Sequence, residues 1–196
     1  MSTEADLLPR LEQACDHLVQ DSAATNWGVL IDEDNVKVFH LKDSKPDRLM
    51  GQIVVSGDST TGFVFRNGRL TRAFPVESVL HDLYDFEARR KWDTTLSEKS
   101  HVVESLSDDT SVVYMYIPGQ MSVSAREMLN GRRRRALPDG AGYVVAHNKI
   151  EWASKPVTKD IVRASNTDTG YVIKKVRDTC RGRFHQLIPF FFCFID

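Results

Sequence analysis

Phe74-Pro75-Val76-Glu77-Ser78-Val79-Leu80, followed by Leu83-Tyr84-Asp85-Phe86-Glu87-Ala88-Arg89-Arg90-Lys91-Trp92-Asp93, is the stretch on which the fold turns. Proline suits the first position of a helix, where its missing N–H is not needed, so Pro75 predicts a helix start. Val76, Val79, Leu80 and Leu83 then recur at helical spacing and form one buried stripe. Asp85 to Asp93 reads as a turn and a second short helix. From His101 onward the texture changes to strands. His101 to Leu106 precedes the turn Ser107-Asp108-Asp109-Thr110, and Ser111 to Ile117 follows it. Met128 to Leu137, Gly142 to Trp152, Asp160 to Ala164 and Tyr171 to Val176 continue the pattern. Pro138-Asp139-Gly140 carries hairpin-turn residues.

Upstream, Leu7, Leu11, Ala14, Cys15 and Leu18 predict an amphipathic helix that Pro9 either opens or kinks. Asn26 to Ile31 and Val36 to Leu41 flank the turn Asp32-Glu33-Asp34-Asn35 and predict a hairpin. Gln52 to Val55 and Phe63 to Arg66 are strand-like, with Ser56 to Gly62 as a polar loop between them. The order is helix, strands, two short helices, then an antiparallel run of strands. That is an α+β pattern, without the βαβα alternation of a parallel sheet.

The chain has 196 residues, 41% of them hydrophobic, which suits one domain with a core of its own. A formal net charge of −1 gives no global basic field, so nucleic acid is not expected as a partner. Three scattered cysteines, Cys15, Cys180 and Cys193, have neither disulfide nor metal-ligand spacing and point to a reducing, cytoplasmic compartment. The acidic start Met1 to Asp6 does not read as a signal peptide. The longest apolar run, Leu187 to Ile195, is far shorter than the ~20 residues a spanning helix needs. The histidines sit in none of the HxxxH, HExxH or CxxC spacings, and no Gly-x-Ser-x-Gly elbow or Gly-rich loop is present. No metal, cofactor or catalytic residue is therefore expected.

Two charge clusters remain. Arg132-Arg133-Arg134-Arg135 on a strand must alternate faces. The plain reading is a solvated outer face with one inward ion pair; the functional reading is an inward arginine meeting a polar ligand. In Arg89-Arg90-Lys91-Trp92-Asp93 a guanidinium fork suits phosphate, and Trp92 supplies an apolar wall. The plain reading there is a core Trp92, a locally paired Asp93 and exposed arginines.

Together with Val112-Val113-Tyr114, Ser124-Ala125-Arg126-Glu127 and Ile161-Val162-Arg163, these motifs resemble, in order and spacing, a START domain over roughly Leu7 to Cys180. The resemblance implies a helix-grip fold: a curved antiparallel sheet, an N-terminal helix and a C-terminal lid helix around a cavity for one sterol, phospholipid or sphingolipid. It implies lipid binding without bond chemistry, a monomer and transient membrane contact. Arg89, Trp92 and Asp93 match the family's Arg-x-x-Trp-Asp motif, and Arg89 inherits contact with a lipid phosphate. Arg132 falls where the sterol-binding branch keeps a buried arginine, but the expected acidic partner aligns with Met115. Tyr114 and Tyr116 complete the expected lipid-binding set of Arg89, Trp92, Arg132, Tyr114 and Tyr116. The segment between the second and third strands is longer than the family pattern and reads as an insertion of about ten residues or a misread exon.

After Cys180 the text no longer resembles the family. Five of the ten phenylalanines fall between Phe184 and Asp196, and we read residues 181–196 as a tail outside the domain of residues 1–180, encoded by intron or frameshifted message. A membrane-touching tail is the other reading. A domain missing its lid helix is expected to be open-sided, with its final strand left unpaired at an edge. Two alternatives to a lipid carrier stand beside it: a lipid-sensing module of a larger multidomain protein, and a non-functional truncated product.

Overall fold

The computed structural model describes residues 2–33, 36–41, 49–58, 65–66, 69–70, 76–93, 96–119, 124–178 and 183–190. The first helix, α1 (Glu4–Ala23), is capped by Thr3 in a reciprocal box with Asp6, and Pro9 lies inside it. The box satisfies backbone donors that the first turn leaves unpaired, so the helix opens at Glu4 and not at Pro9. The strands β1 (Trp27–Glu33) and β2 (Val36–Leu41) form the expected antiparallel hairpin. β3 (Leu49–Asp58) takes in Ser56, Gly57 and Asp58, which the sequence assigned to a loop. Residues 59–62 of that loop lie outside the described residues, as do Phe63 and Val64 of the strand expected after it and Pro75. A small ladder, β4 (Phe65–Arg66) with β5 (Arg69–Leu70), precedes α2 (Val76–Tyr84) and α3 (Phe86–Arg90).

The remaining strands are β6 (His101–Ser105), β7 (Thr110–Ile117), β8 (Arg126–Ala136), β9 (Gly142–Lys149), β10 (Val162–Arg163), β11 (Thr169–Asp178) and β12 (Arg183–Phe190). One sheet runs β1-β2-β3-β12-β11-β9-β8-β7-β6, with β10 parallel alongside the start of β8. The sheet continues past residue 180: β12 pairs with β11 on one side and with β3 on the other. The expectation of an unpaired final strand is thereby corrected, because β12 takes up the second edge of β11. Among the described residues no α-helix follows α3.

The two faces of the sheet carry different helices. Leu7, Leu11, Ala14, Cys15 and Leu18 of α1 are fully buried against Val112, Tyr114, Leu129, Val144, Ala146 and Val172. The residues between these on each strand point the other way. There Val76, Leu80 and Leu83 of α2 pack on Val145 and Ile173, and Phe86 of α3 packs on Val113. Each fully buried leucine or valine contributes about 1.5–3 kcal/mol, so the two clamps hold the central strands from both sides.

Gly131 of β8 lies directly against Leu7 of α1. A Cβ there would stand 2.4 Å from Leu7 Cδ1, and Leu7 is wholly buried. Gly131→Val is expected to lower stability by about 1–3 kcal/mol, measured by urea unfolding, because the helix must move off the sheet to admit the side chain. An unchanged midpoint would mean that Leu7 repacks freely.

The candidate lipid site

The corner between α2 and α3 places the first group of site residues. Asp85 caps α3, its side chain accepting from the Ala88 N–H at 2.7 Å. That turns the chain so that Arg89 and Trp92 face the sheet. Trp92 donates from Nε1 to the Asp82 carbonyl at 3.2 Å and packs against the cluster of Val76, Leu80, Leu83, Val145 and Ile173. Arg89 Nε donates to Asp93 Oδ2 at 2.8 Å, with both side chains at most 15% exposed. Burial works against the Arg89 charge, but Tyr171, with which it also hydrogen-bonds, and Asp93 outweigh it and raise its pKa. Arg90 pairs with Glu87 and donates to the Ser100 carbonyl. The plain reading of this motif is thus corrected at the arginines, which are held in contacts instead of lying free in solvent.

The second group is a polar rung across the sheet. Ser111 of β7 lies opposite Arg132 of β8, Arg132 opposite His147 of β9, and His147 opposite Thr169 of β11. All four are under 10% exposed, on the face that carries α2 and α3. Arg132 Nε donates to Ser111 Oγ at 3.2 Å, Nη1 donates to the Tyr84 carbonyl, and the guanidinium stacks 3.7 Å from the Tyr84 ring. Among the described residues no carboxylate comes within ion-pair distance of Arg132. Burial, with Arg89 nearby, lowers its pKa despite the opposing effect of Tyr84. His147 is pushed down to about 3 by burial and then by Arg132 and Arg89. Its imidazole is therefore neutral at physiological pH, one ring nitrogen a donor and the other an acceptor. Two residues before Arg132 on β8, buried Asn130 has neither amide atom partnered among the described residues.

The four arginines divide as strand alternation requires, but with different partners from those expected. Arg133 and Arg135 turn to α1, where Arg133 pairs with Glu12 at 2.7 Å and Arg135 with Asp16 at 2.7 Å. The outer pair is therefore ion-paired to the helix, whereas neither Arg132 nor Arg134 of the other face has a carboxylate in ion-pair reach among the described residues, and of these two Arg132 is the buried one.

Arg89, Trp92 and Arg132 come together on one face. Tyr114 and Tyr116, expected with them, lie on the opposite face of the sheet. Both lie on the α1 face in the Leu7 and Leu11 cluster. The Tyr114 hydroxyl donates to Glu127 Oε2 at 2.8 Å, and Lys155 Nζ stands 4.0 Å from its ring. Sequence reasoning missed His147, Asn130 and Tyr171. Asn130 and Arg132 at i and i+2, and a single histidine closing the apolar run Val144-Val145-Ala146, are the signals that pointed there.

Among the described residues no group of three or more His, Cys, Asp or Glu is placed to hold a metal ion. None of the described helices is long and apolar enough to cross a membrane.

This geometry has counterparts. The fold matches human StAR-related lipid transfer protein 5 with a TM-score of 0.69 at 16% identity, over 91% of this chain and 78% of that one. The crystal structure of human STARD10 matches with a TM-score of 0.69 at 18% identity, over 100% of this chain and 68% of that one. In sequence, the chain is 30% identical to mouse START domain-containing protein 10 over 100 residues, 51% of this chain and 33% of that protein. It is 22% identical to the ceramide transfer protein of Pongo abelii over 144 residues, 71% of this chain and 21% of that one. The chain thus matches about a third or less of the length of these curated relatives. A family model described as START domain matches residues 38–181, and on that span, together with the helix-backed sheet, the chain belongs to the START-domain family, whose members generally bind and transfer lipids.

Proposed function

We propose that the chain encloses one lipid against the α2–α3 face of its sheet, without bond chemistry, and that the lipid bears a phosphate in its head group. The observation that carries this reading is a surplus of buried positive charge. Arg132 is buried and Arg89 half-buried on this face, and Asp93 is the carboxylate paired to Arg89 while Arg132 has none in ion-pair reach among the described residues. A buried unpaired charge is costly, and an anionic group arriving with the ligand removes that cost. Neutral His147 and the unpartnered Asn130 amide add donors and acceptors for the linkage below the head group. Met115 packs on the same face with Phe86, Leu96 and Val113, so the acid that a sterol site would pair with the arginine is absent at that position. A second reading, a lipid-sensing unit working for a longer polypeptide, draws on the small fraction of the curated relatives that this chain matches.

Native mass spectrometry of the full chain after exposure to mixed vesicles tests the proposal. Phosphatidylcholine, phosphatidylethanolamine and ceramide phosphate are expected to be retained at least about tenfold over ceramide and cholesterol, a difference of about 1.4 kcal/mol. Retention of cholesterol alone would overturn the assignment.

Loading also needs contact with a bilayer. Ile117 and Val162 are both register partners of Arg126, and they stand 38% and 48% exposed at one end of the sheet, with Val157 at 64% in the loop before β10. The double variant Val157→Asp/Val162→Asp is expected to slow lipid transfer between vesicles about tenfold with an unchanged thermal midpoint, because exposed apolar side chains gain by entering the interface. An unchanged transfer rate would place membrane contact elsewhere.

A further inference from the structure

A cleft of about 360 Å³ lies between the α2–α3 corner and the β6–β7 turn. Its walls include Tyr84, Phe86, Ser105 and Asp108, and Arg132 and Ser111 lie at its base. The volume suits a small polar molecule and is at the low end for a ligand site.

Charge divides the cleft. Arg132 is 4% exposed, lines this space, and has its planar guanidinium between the Tyr84 ring at 3.7 Å and the Phe86 ring at 5.4 Å. Ser111 Oγ accepts from Arg132, which leaves its own hydroxyl proton free to donate to a ligand. The other arginine of the cleft, Arg90, pairs with Glu87 and donates to the Ser100 carbonyl, and its Nε has no partner among the described residues. Asp85 spends one oxygen on the Ala88 N–H, and Asp108 is exposed and makes no ion pair among the described residues. The base is therefore cationic and the rim anionic. A simple anion meets Asp85 and Asp108 as it enters, and a simple cation meets Arg132 at the bottom. A molecule carrying both charges satisfies both.

We propose that this cleft takes a second ligand, a small zwitterion whose anionic group binds Ser111 and, in competition with the phosphate of the enclosed lipid, Arg132, and whose ammonium faces Asp85 and Asp108. Such a group exists both as a free phospho-amine and as the head of a bilayer lipid. Either source enters from outside the sheet, from the side of the β6–β7 turn, and no acyl chain fits in the cleft.

The test is titration of the full chain with phosphoethanolamine, followed by calorimetry and backbone amide shifts. Saturable one-to-one binding is expected, at least about tenfold tighter than sodium phosphate or ethylammonium alone. Shifts are expected at residues 84–87, 105–111 and 132. Asp108→Lys reverses the charge of the rim from the exposed β6–β7 turn, off the rung of Ser111, Arg132 and His147. It is expected to abolish phosphoethanolamine binding while the thermal midpoint and lipid retention stay at wild-type values. Inorganic phosphate binding as tightly as the zwitterion, or full binding by Asp108→Lys, would overturn the proposal. Loss of lipid retention in the wild-type chain with phosphoethanolamine binding intact would remove the enclosed lipid and leave this site standing. Displacement of the chain from phosphatidylethanolamine vesicles by soluble phosphoethanolamine would support the site with a lipid head group as its source. Binding of the soluble molecule without such displacement would support it with a free phospho-amine.

Discussion

Glu127→Ala is expected to lower the unfolding free energy by about 3–5 kcal/mol, the cost of leaving a buried ionic partner uncompensated. Glu127 is fully buried on β8. Its carboxylate accepts from the Tyr114 hydroxyl at 2.8 Å, the Thr158 N–H at 2.9 Å and Arg163 Nε at 2.9 Å. These contacts tie β7, β8 and the loop before β10 to one point. Remove the carboxylate and the Arg163 guanidinium, the Tyr114 hydroxyl and a backbone N–H lose their acceptor together. Urea unfolding measures the loss. The double variant Glu127→Leu/Arg163→Met is expected to be less destabilised than the single Glu127→Ala, because it removes both charges. Equal loss in the two would show that the hydrogen bonds from Tyr114 and Thr158 carry the effect and the ion pair does not.

The same group makes stability depend on pH. Burial by itself raises the Glu127 pKa, but hydrogen bonds from Thr158, Tyr114 and Arg163 outweigh it and bring the pKa down from 4.5 to about 2. The folded state therefore holds the proton less tightly than the unfolded state. The stabilisation is fully present above pH 4.5 and is lost as pH falls toward about 2. Integrated over that window it amounts to about 3 kcal/mol. Subtracting the acid unfolding curve of Glu127→Gln from that of the wild type isolates this contribution; parallel curves from pH 5 to pH 2 would remove it.

Arg132→Met is expected to lower the affinity for a phosphate-bearing lipid by about 10–100-fold while changing the unfolding free energy by no more than about 1 kcal/mol. The two halves of this expectation have separate causes. Arg132 is buried beside Arg89 without a carboxylate in ion-pair reach among the described residues, so the empty protein bears the cost of desolvating its charge. Its bonds to Ser111 and the Tyr84 carbonyl and its stacking on Tyr84 return part of that cost. A methionine of similar length keeps the packing and removes both sides of this balance. An arginine kept for architecture would show the reverse: a large loss of stability and unchanged lipid retention. Calorimetric unfolding and vesicle-loading assays on one preparation separate the cases.

Much of the architecture was legible in the chain. The 3.6-residue spacing of Leu7, Leu11, Ala14, Cys15 and Leu18 predicts α1, and these are the residues buried in it. The hairpin of β1 and β2 follows from two β-rich runs around a polar turn. The corner at Asp85 follows from a side chain that caps helices. Each is a local pattern, in which the cause lies within a few residues of the effect.

Less of the site was legible. A strand's period of two determines that Arg132 and Arg133 face opposite ways, and that Tyr114 and Tyr116 face the same way. It does not say which way is toward the ligand. That choice is made by contacts distant in sequence: Glu12 and Asp16 on α1 draw Arg133 and Arg135 to one face, and the Tyr84 carbonyl holds Arg132 on the other. His147 had no reading of its own until cross-strand register set it opposite Arg132. Residues 183–190 looked foreign by composition, yet they lie between two strands distant in sequence. By itself the sequence determined the elements, their order, and the pairs of residues that share a face. The tertiary structure decided which polar residues meet on each face, because register and helix docking depend on groups that only folding brings together.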